Sequence, residues 1–489
     1  MTRSAPLLLV ACGALLAACA VGPDYQRPPA ETPAAFKEQA GWKRAQPQDA
    51  GSASPWWSVF GDPLLDELER QVAISNQNVK SFEASYRSAV AIAQQANASF
   101  FPTVAVNGSG QRAQSSAGGH AIGQSVANQF ATSLGASWEL DVWGRVRRQS
   151  EGAEATAQAS AADLAAARLS AQATLASSYF SLRAEDELKR LLDSTVEDYT
   201  RSLQITRNQY AAGVASKADV MQADTQLKST QAQSIAVALQ RAQLEHSIAV
   251  LTGRPPASFA IAPTTGLADP PAIPGLLPSV LLERRPDIAA AERRMASANA
   301  QIGVATAAFY PNLSLSGSYG FASSAIGQLL QASNSLWSFG SQLAETVFDG
   351  GLRSAELAQA QAGFDQDVAS YRQTVLTGFQ QVEDQLAALR ILAQQAEVQN
   401  QAVASALESV RLTLNQYKAG TVAYTSVITV QTAALADQQA QLTLHQNRLT
   451  ASVALIQALG GGWSTADLPG SGTASAAPNN KVSAASAAR

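Results

Sequence analysis

Two periodicities divide this chain. Four short segments alternate strictly between apolar and polar positions, which is the period-two signature of a strand with one apolar face. Val104 and Val106 oppose Ala105, Asn107, Ser109 and Gln111, and Phe130, Thr132, Leu134, Trp138 and Leu140 oppose Ser133, Gly135, Ser137, Glu139 and Asp141. Leu313, Leu315, Tyr319 and Phe321 oppose Asn312, Ser314, Ser316 and Ser318, and Trp337, Phe339, Leu343 and Val347 oppose Ser338, Gly340 and Gln342. The pattern predicts strands over about 102–112, 129–141, 311–321 and 336–348.

The other period is helical. Two proline-free runs, Arg145 to Ala211 and Leu352 to Lys418, end just before Gly213 and Gly420, where a C-cap glycine belongs. At 1.5 Å per residue each would reach about 100 Å. Heptad-like spacing marks them as coiled-coil helices: Val196, Tyr199, Leu203, Thr206 and Tyr210, then Val403, Leu407, Val410, Leu414 and Tyr417. Shorter helices are predicted from Ser216 to Thr252 and from Tyr424 to Leu459. Two more run from Leu64 to Ser99 and from Ser279 to Ala308, ahead of Pro102 and Pro311.

The chain repeats itself. Phe100-Phe101-Pro102 recurs as Phe309-Tyr310-Pro311, Asn208-Gln209-Tyr210 as Asn415-Gln416-Tyr417, and Leu251-Thr252-Gly253 falls over Ala458-Leu459-Gly460. Anchors this far apart at nearly one offset indicate a tandem duplication. Each copy holds a helix, two strands, a long helix and a shorter helix. The expected boundaries are 1–18 for a signal peptide and 19–63 for an extended N-terminal segment. Repeat one then covers 64–253, a Pro-rich linker 254–278, repeat two 279–463, and a tail with the composition of a disordered segment 464–489.

Alternation over about ten residues, apolar on one face and small and polar on the other, is the pattern of a transmembrane β-strand around a watery lumen; a soluble half-buried sheet alternates in the same way. Trp138, Trp143, Phe100 and Tyr310 fall at one rim, and Phe321, Trp337 and Phe339 toward the other, as interfacial girdles do. Four strands cannot close a barrel, and open edges are not tolerated in lipid. Several chains must contribute, and three would supply twelve strands. Glu139 and Asp141 read as lumen lining near the periplasmic rim.

Composition narrows this further. The net charge of −4 gives no reason to expect nucleic acid. No apolar run of membrane-spanning length follows the first twenty positions. Those positions combine Arg3, a short apolar run and Leu16-Ala17-Ala18-Cys19, the pattern read by lipoprotein signal peptidase. Cys19, preferred over Cys12, would carry diacylglycerol and a fatty acid, and Ala20 after it is not the aspartate that retains lipoproteins in the inner membrane. No other cofactor is expected. His120, His246 and His445 are widely spaced and make no metal motif. There is no Walker loop, GxSxG or GxGxxG, so nothing looks catalytic. Met1, Met221 and Met295 are the only methionines, which argues against a thioether-based copper or silver exporter.

The ordered motifs carry a resemblance. Cys19-Ala20-Val21-Gly22-Pro23-Asp24-Tyr25-Gln26-Arg27-Pro28 is followed by Trp56-Trp57 and Phe60-Gly61-Asp62-Pro63-Leu64. Leu282-Glu283-Arg284-Arg285-Pro286-Asp287-Ile288 leads to Phe309-Tyr310-Pro311, and Ala458-Leu459-Gly460-Gly461-Gly462-Trp463 closes the second repeat. The chain resembles the outer membrane factor family, specifically OprM-like (NodT-type) lipoproteins of RND-type drug efflux, and more distantly TolC. The resemblance implies a mainly α chain with a transmembrane β-barrel portion. In that fold a homotrimer forms a 12-stranded barrel, four strands per chain, continuous with a helical tunnel. Its implied partners are a periplasmic adaptor, an inner-membrane RND transporter and outer-membrane lipid.

By resemblance the adaptor touches Gly213, Val214, Ala215, Ser216, Gly420, Thr421, Val422 and Ala423. OprM-like relatives carry an aspartate and an arginine on the helix after the second tip, where this chain has Thr429 and Thr432. The periplasmic gate is therefore expected among Tyr210, Lys217, Asp219, Asp224, Tyr417, Tyr424, Thr425 and Thr429, with Arg207 nearby. The function expected is the passive exit conduit of a multidrug efflux pump. A type I protein-secretion channel or a non-channel envelope brace are the alternatives.

Overall fold

A computed structural model describes residues 20–39, 55–116, 124–271 and 283–469, with side chains except at 39, 115, 116, 124 and 125. Cys19, Cys12 and His120 lie outside the described residues. The helices are α1 (Pro63–Ser75), α2 (Gln77–Ala98), α3 (Arg145–Ala211), α4 (Lys217–Leu251), α5 (Pro286–Ala307), α6 (Leu352–Lys418) and α7 (Tyr424–Ala458). The strands are β1 (Thr103–Ser116), β2 (Gln124–Leu140), β3 (Asn312–Ser323) and β4 (Ser335–Ala344). They form one antiparallel sheet in the order β1-β2-β3-β4. Among the described residues no helix is long and apolar enough to cross a membrane.

The chain divides into two compact units. The first gathers Met1–Pro29, Ser85–Ser160 and Ala290–Arg372, which includes the whole sheet. Its N-terminal stretch is held by named contacts. The buried Arg148 guanidinium pairs with Asp24 at 2.7 Å and Glu151 at 2.8 Å. The Tyr25 hydroxyl donates to Glu292 at 2.7 Å, and Arg27 donates to the Tyr371 hydroxyl at 3.0 Å.

The second unit gathers Ala30–Ala84, Ala161–Ala289 and Gln373–Arg489. Asp62 caps α1, accepting from the Leu64 and Leu65 N–H groups at 2.9 and 3.2 Å, with Pro63 at the first helical position. The single helix expected from Leu64 to Ser99 is in fact two. Asn76 takes extended angles, accepts from the Val79 N–H at 3.1 Å and donates to the Leu251 carbonyl at 2.8 Å. A buried asparagine that caps the next helix and ties down another breaks a run whose apolar period gives no hint of it. The repeated glycine after each short helix has a steric reason. A Cβ at Gly253 would stand 2.3 Å from the Ser75 carbonyl oxygen, and one at Gly460 2.0 Å from that of Arg284.

Up to residue 271 the linker has no regular structure after a one-turn helix at Pro256–Ser258, and Arg183 and Arg241 hold it by donating to the carbonyls of Ala262 and Ile261 at 2.9 and 2.6 Å. The tail expected to lack structure from Ser464 opens instead with a capped turn, Thr465–Asp467. Ser464 and Asp467 satisfy each other's backbone there.

Candidate functional site

Register sorts the sheet. Directly opposed residues of antiparallel strands share a face. Val106 opposes Leu134, Leu134 opposes Tyr319 and Tyr319 opposes Trp337, which makes one apolar row across all four strands. Ala136, Gly317 and Phe339 continue the face in the next row, and Leu140, Leu313 and Leu343 in another. The opposite face carries Asn107 and Ser133, then Ser137, Ser316 and Gly340, then Glu139, Ser314 and Gln342. Ser318 and Ser338 hydrogen-bond across that face at 2.8 Å.

The apolar face is uncovered. Trp337 is 76% exposed, Phe339 75% and Leu343 67%. Nine large apolar side chains of the strands are exposed on this one face, far more than a water-facing surface carries by chance. β1 and β4 are the edges of the sheet, and among the described residues no strand lies beyond them. Phe339, expected near a rim, instead lies in the middle of β4 opposite Gly317.

Where strands become helices the aromatics pair with backbone. Trp143 stacks on Tyr310 with centroids 4.9 Å apart and donates to the Pro311 carbonyl at 2.8 Å, and Trp138 donates to that of Phe100 at 3.0 Å. Glu139 and Asp141, expected to line a lumen, are engaged here. Glu139 pairs with Arg145 at 2.6 Å, and Asp141 accepts from the Val146 and Arg147 N–H groups at 2.8 and 2.9 Å. A carboxylate at the N-terminus of α3 satisfies orphan donors and complements the helix dipole.

At the hairpin tips both turns use a glycine at positive φ, 77° at Gly213 and 75° at Gly420. Val214 N–H donates to the Gln209 carbonyl at 2.8 Å, and Thr421 N–H to that of Gln416 at 3.0 Å, closing the ends of α3 and α6. Ser216 and Asp219 then form a capping box that starts α4. Behind the turns Tyr199, Leu203, Ala223, Leu227, Tyr417, Tyr424 and Val427 form one buried cluster. The Tyr417 and Tyr424 rings lie 5.2 Å apart, and the Tyr417 hydroxyl donates to Thr206 at 3.3 Å. Burial pushes the Tyr424 hydroxyl up to about 12 and raises that of Tyr417.

The expected gate residues therefore separate. Tyr417 and Tyr424 are interior, and Tyr210, Lys217, Thr425 and Thr429 are exposed. Asp219 is occupied by the capping box, and Asp224 faces Arg207 at 3.8 Å. Thr429 donates back to the Thr425 carbonyl at 3.0 Å, while Gln226 donates to Thr432 at 3.4 Å. Of the tip residues, Gly213, Val214, Ser216, Gly420, Thr421 and Ala423 are exposed, and Ala215 and Val422 half-buried. Sequence reasoning missed Gln226 and Gln431, which link hairpins through Thr432 and Ser202. Lone glutamines on helices carry no signal of their own. Arg285 of the Arg-Pro-Asp motif is structural: it donates to the Ala458 carbonyl at the end of α7 at 3.0 Å and pairs with Asp287 at 2.7 Å.

A sheet sorted for lipid, carried with long helical hairpins in one chain, defines a TolC-like outer-membrane channel. The outer membrane efflux protein family model matches residues 68–254 and 277–461. Among similar proteins, the probable efflux pump outer membrane protein TtgC of Pseudomonas putida is 32% identical over 474 residues, which covers 95% of this chain and 96% of that one. The cation efflux system protein CusC of Escherichia coli is 29% identical over 466 residues, covering 93% and 98%. The solved outer-membrane channel OprN superposes with a TM-score of 0.86 at 30% identity, covering 91% of this chain and all of that one. The MtrE channel of Neisseria gonorrhoeae gives 0.81 at 27%, covering 91% and 99%. The chain belongs to the outer membrane efflux protein family, and it is the outer-membrane channel of a tripartite efflux system with its long helices in the periplasm.

Proposed function

We propose that three copies of this chain close a 12-stranded barrel and form a passive exit conduit for small organic molecules. The carrying observation is the sheet: its register separates an exposed apolar face from a polar one, and it ends in two unpaired edges. Lipid covers the first, water fills the second, and only neighbouring copies can satisfy the edges. The names of relatives mention toluene, antibiotics and cations. Organic cargo is favoured here because Met295 is buried in the core, which leaves Met221 as a single thioether at the surface of the described residues.

Cys19 carries the lipid anchor in this reading. The tips at 213–216 and 420–423 receive a periplasmic adaptor, which couples the channel to an inner-membrane RND-type transporter. The gate uses Tyr210, Lys217, Asp219, Asp224, Thr425 and Thr429 at the surface, while Tyr417 and Tyr424 hold the hairpins from inside. Native mass measurement in detergent is expected to give three chains, and planar bilayers a steady conductance. A folded monomer stable in lipid, or no current, sinks the proposal. Conductance unchanged by Asp219→Ala and Asp224→Ala would overturn the gate assignment alone.

A further inference from the structure

Within the second unit a cavity of about 370 Å³ lies between the linker, α3, α6 and α7. Its wall is polar and reached by water: Asp269 and Asn400 are exposed, and Arg448, Gln438 and His445 are half-buried. Part of that wall is already paired. Glu187 accepts from Arg190 at 2.7 Å and from the Gly266 N–H, and Gln441 donates to Asn400 at 2.7 Å. The His445 Nε2–H donates to the Ala268 carbonyl at 2.8 Å, since a carbonyl oxygen can only accept. The ties at Gly266 and Ala268 fix the stretch of linker that carries Asp269.

Asp269, Arg448 and Gln438 stay unengaged: among the described residues none of these side chains makes an ion pair or a hydrogen bond. One cavity thus offers a free anion, a free cation and a free amide, all within reach of solvent. A ligand with a single charge would match one of the two ions and leave the other unpaired. A ligand that carries both charges satisfies both, through hydrogen bonds stronger than neutral ones. The volume falls within the range of small-molecule sites. We propose that the cavity binds a free α-amino acid with an amide side chain. Its carboxylate meets the Arg448 guanidinium, whose fork of donors fits a carboxylate. Its ammonium donates to Asp269, its amide pairs with Gln438, and its methylenes lie along Leu191 and Leu442. Nothing in this site belongs to the sheet or to the tips, so it stands or falls independently of the conduit reading.

The test is calorimetric titration of the purified full-length protein in detergent with L-glutamine, N-acetyl-L-glutamine, L-glutaminamide and L-leucine. L-Glutamine is expected to bind at least about tenfold more tightly than either blocked form, because each of those lacks one charge, as an amino acid inside a peptide lacks both. L-Leucine keeps both charges without the amide and should bind about threefold more weakly than L-glutamine. Arg448→Gln should lower L-glutamine affinity about tenfold and leave L-glutaminamide unchanged. Asp269→Asn should do the same to L-glutamine and leave N-acetyl-L-glutamine unchanged. Neither side chain holds another residue in place, so folding is not at stake. Absence of L-glutamine binding up to about 5 mM, the weak end of measurable affinity, overturns the proposal. So does N-acetyl-L-glutamine or L-leucine binding as tightly as L-glutamine, or indifference of L-glutamine to either substitution.

Discussion

In the sheet, Trp337, Phe339 and Leu343 stand in the open, whereas behind the hairpin tips Tyr199, Tyr417 and Tyr424 are shut inside their own chain. Both regions are rich in large apolar side chains, yet only one is complete by itself. The hairpins bury their aromatics against four helices and satisfy their turns with glycine and a capping box. The sheet leaves an apolar face and two edges unpartnered, so its stability depends on lipid and on other copies. An element that needs partners reports its environment; one that does not can move without losing its own core.

That contrast can be attacked from both sides. Tyr424→Ala removes a ring that is 2% exposed and should cost about 3–5 kcal/mol, seen as easier chemical unfolding and as proteolysis near the tips. A change of only a few tenths would mean that the tip cluster is not a core. Phe339→Arg puts a charge at mid-strand on the apolar face, and should cost about 2–4 kcal/mol in refolding into lipid vesicles. Ser316→Arg, on the polar face, should refold normally and alter the ion selectivity of the conductance instead. If both arginines are tolerated equally, the two faces do not differ in environment.

Glu69 tests how dry the helical unit is. Its carboxyl is fully buried and accepts no hydrogen bond, and burial pushes it up to about 9. The folded chain keeps this proton while the unfolded chain releases it above its ordinary pKa of about 4.5. Stability is therefore lost as pH rises from that value toward about 9, at up to about 1.4 kcal/mol per pH unit. Glu69→Gln should melt higher than the parent, with a gain that grows from about pH 5 to pH 8 in thermal scans. A constant gain would place water at the carboxyl. The smallest effect is expected from Asp219→Ala, about 1 kcal/mol from the broken capping box, measured as fraying of α4 by hydrogen exchange.

Much of this was legible along the chain. The alternation at Val104, Leu134, Tyr319 and Trp337 marked the strands, and the proline-free runs ending near Gly213 and Gly420 marked the long helices. The strong motifs lay in backbone requirements such as Pro63, Gly253 and Gly460; the positive φ of the two glycines is a local demand, while the carbonyls that crowd them, Ser75 and Arg284, are distant in sequence. Less legible was anything that depended on a distant partner. The break at Asn76 rests on a hydrogen bond to Leu251, 175 residues away in sequence. Strand alternation put Glu139 on the polar face, but it cannot foresee the arginine and the helix start a few residues on that engage Glu139 and Asp141.

By itself, then, the sequence determined element type, the internal repeat and the need for partners, because period, proline, glycine and unpaired strand edges act over a few residues. Only the tertiary structure decided which side chains share a face or a cavity. It set Tyr417 and Tyr424 inside rather than outside, gave Asp219 to a helix cap, and buried the Gln431 carbonyl without a hydrogen-bond partner. Burial and hydrogen-bond pairing are properties of elements brought together from far apart in the chain, and no local pattern encodes them.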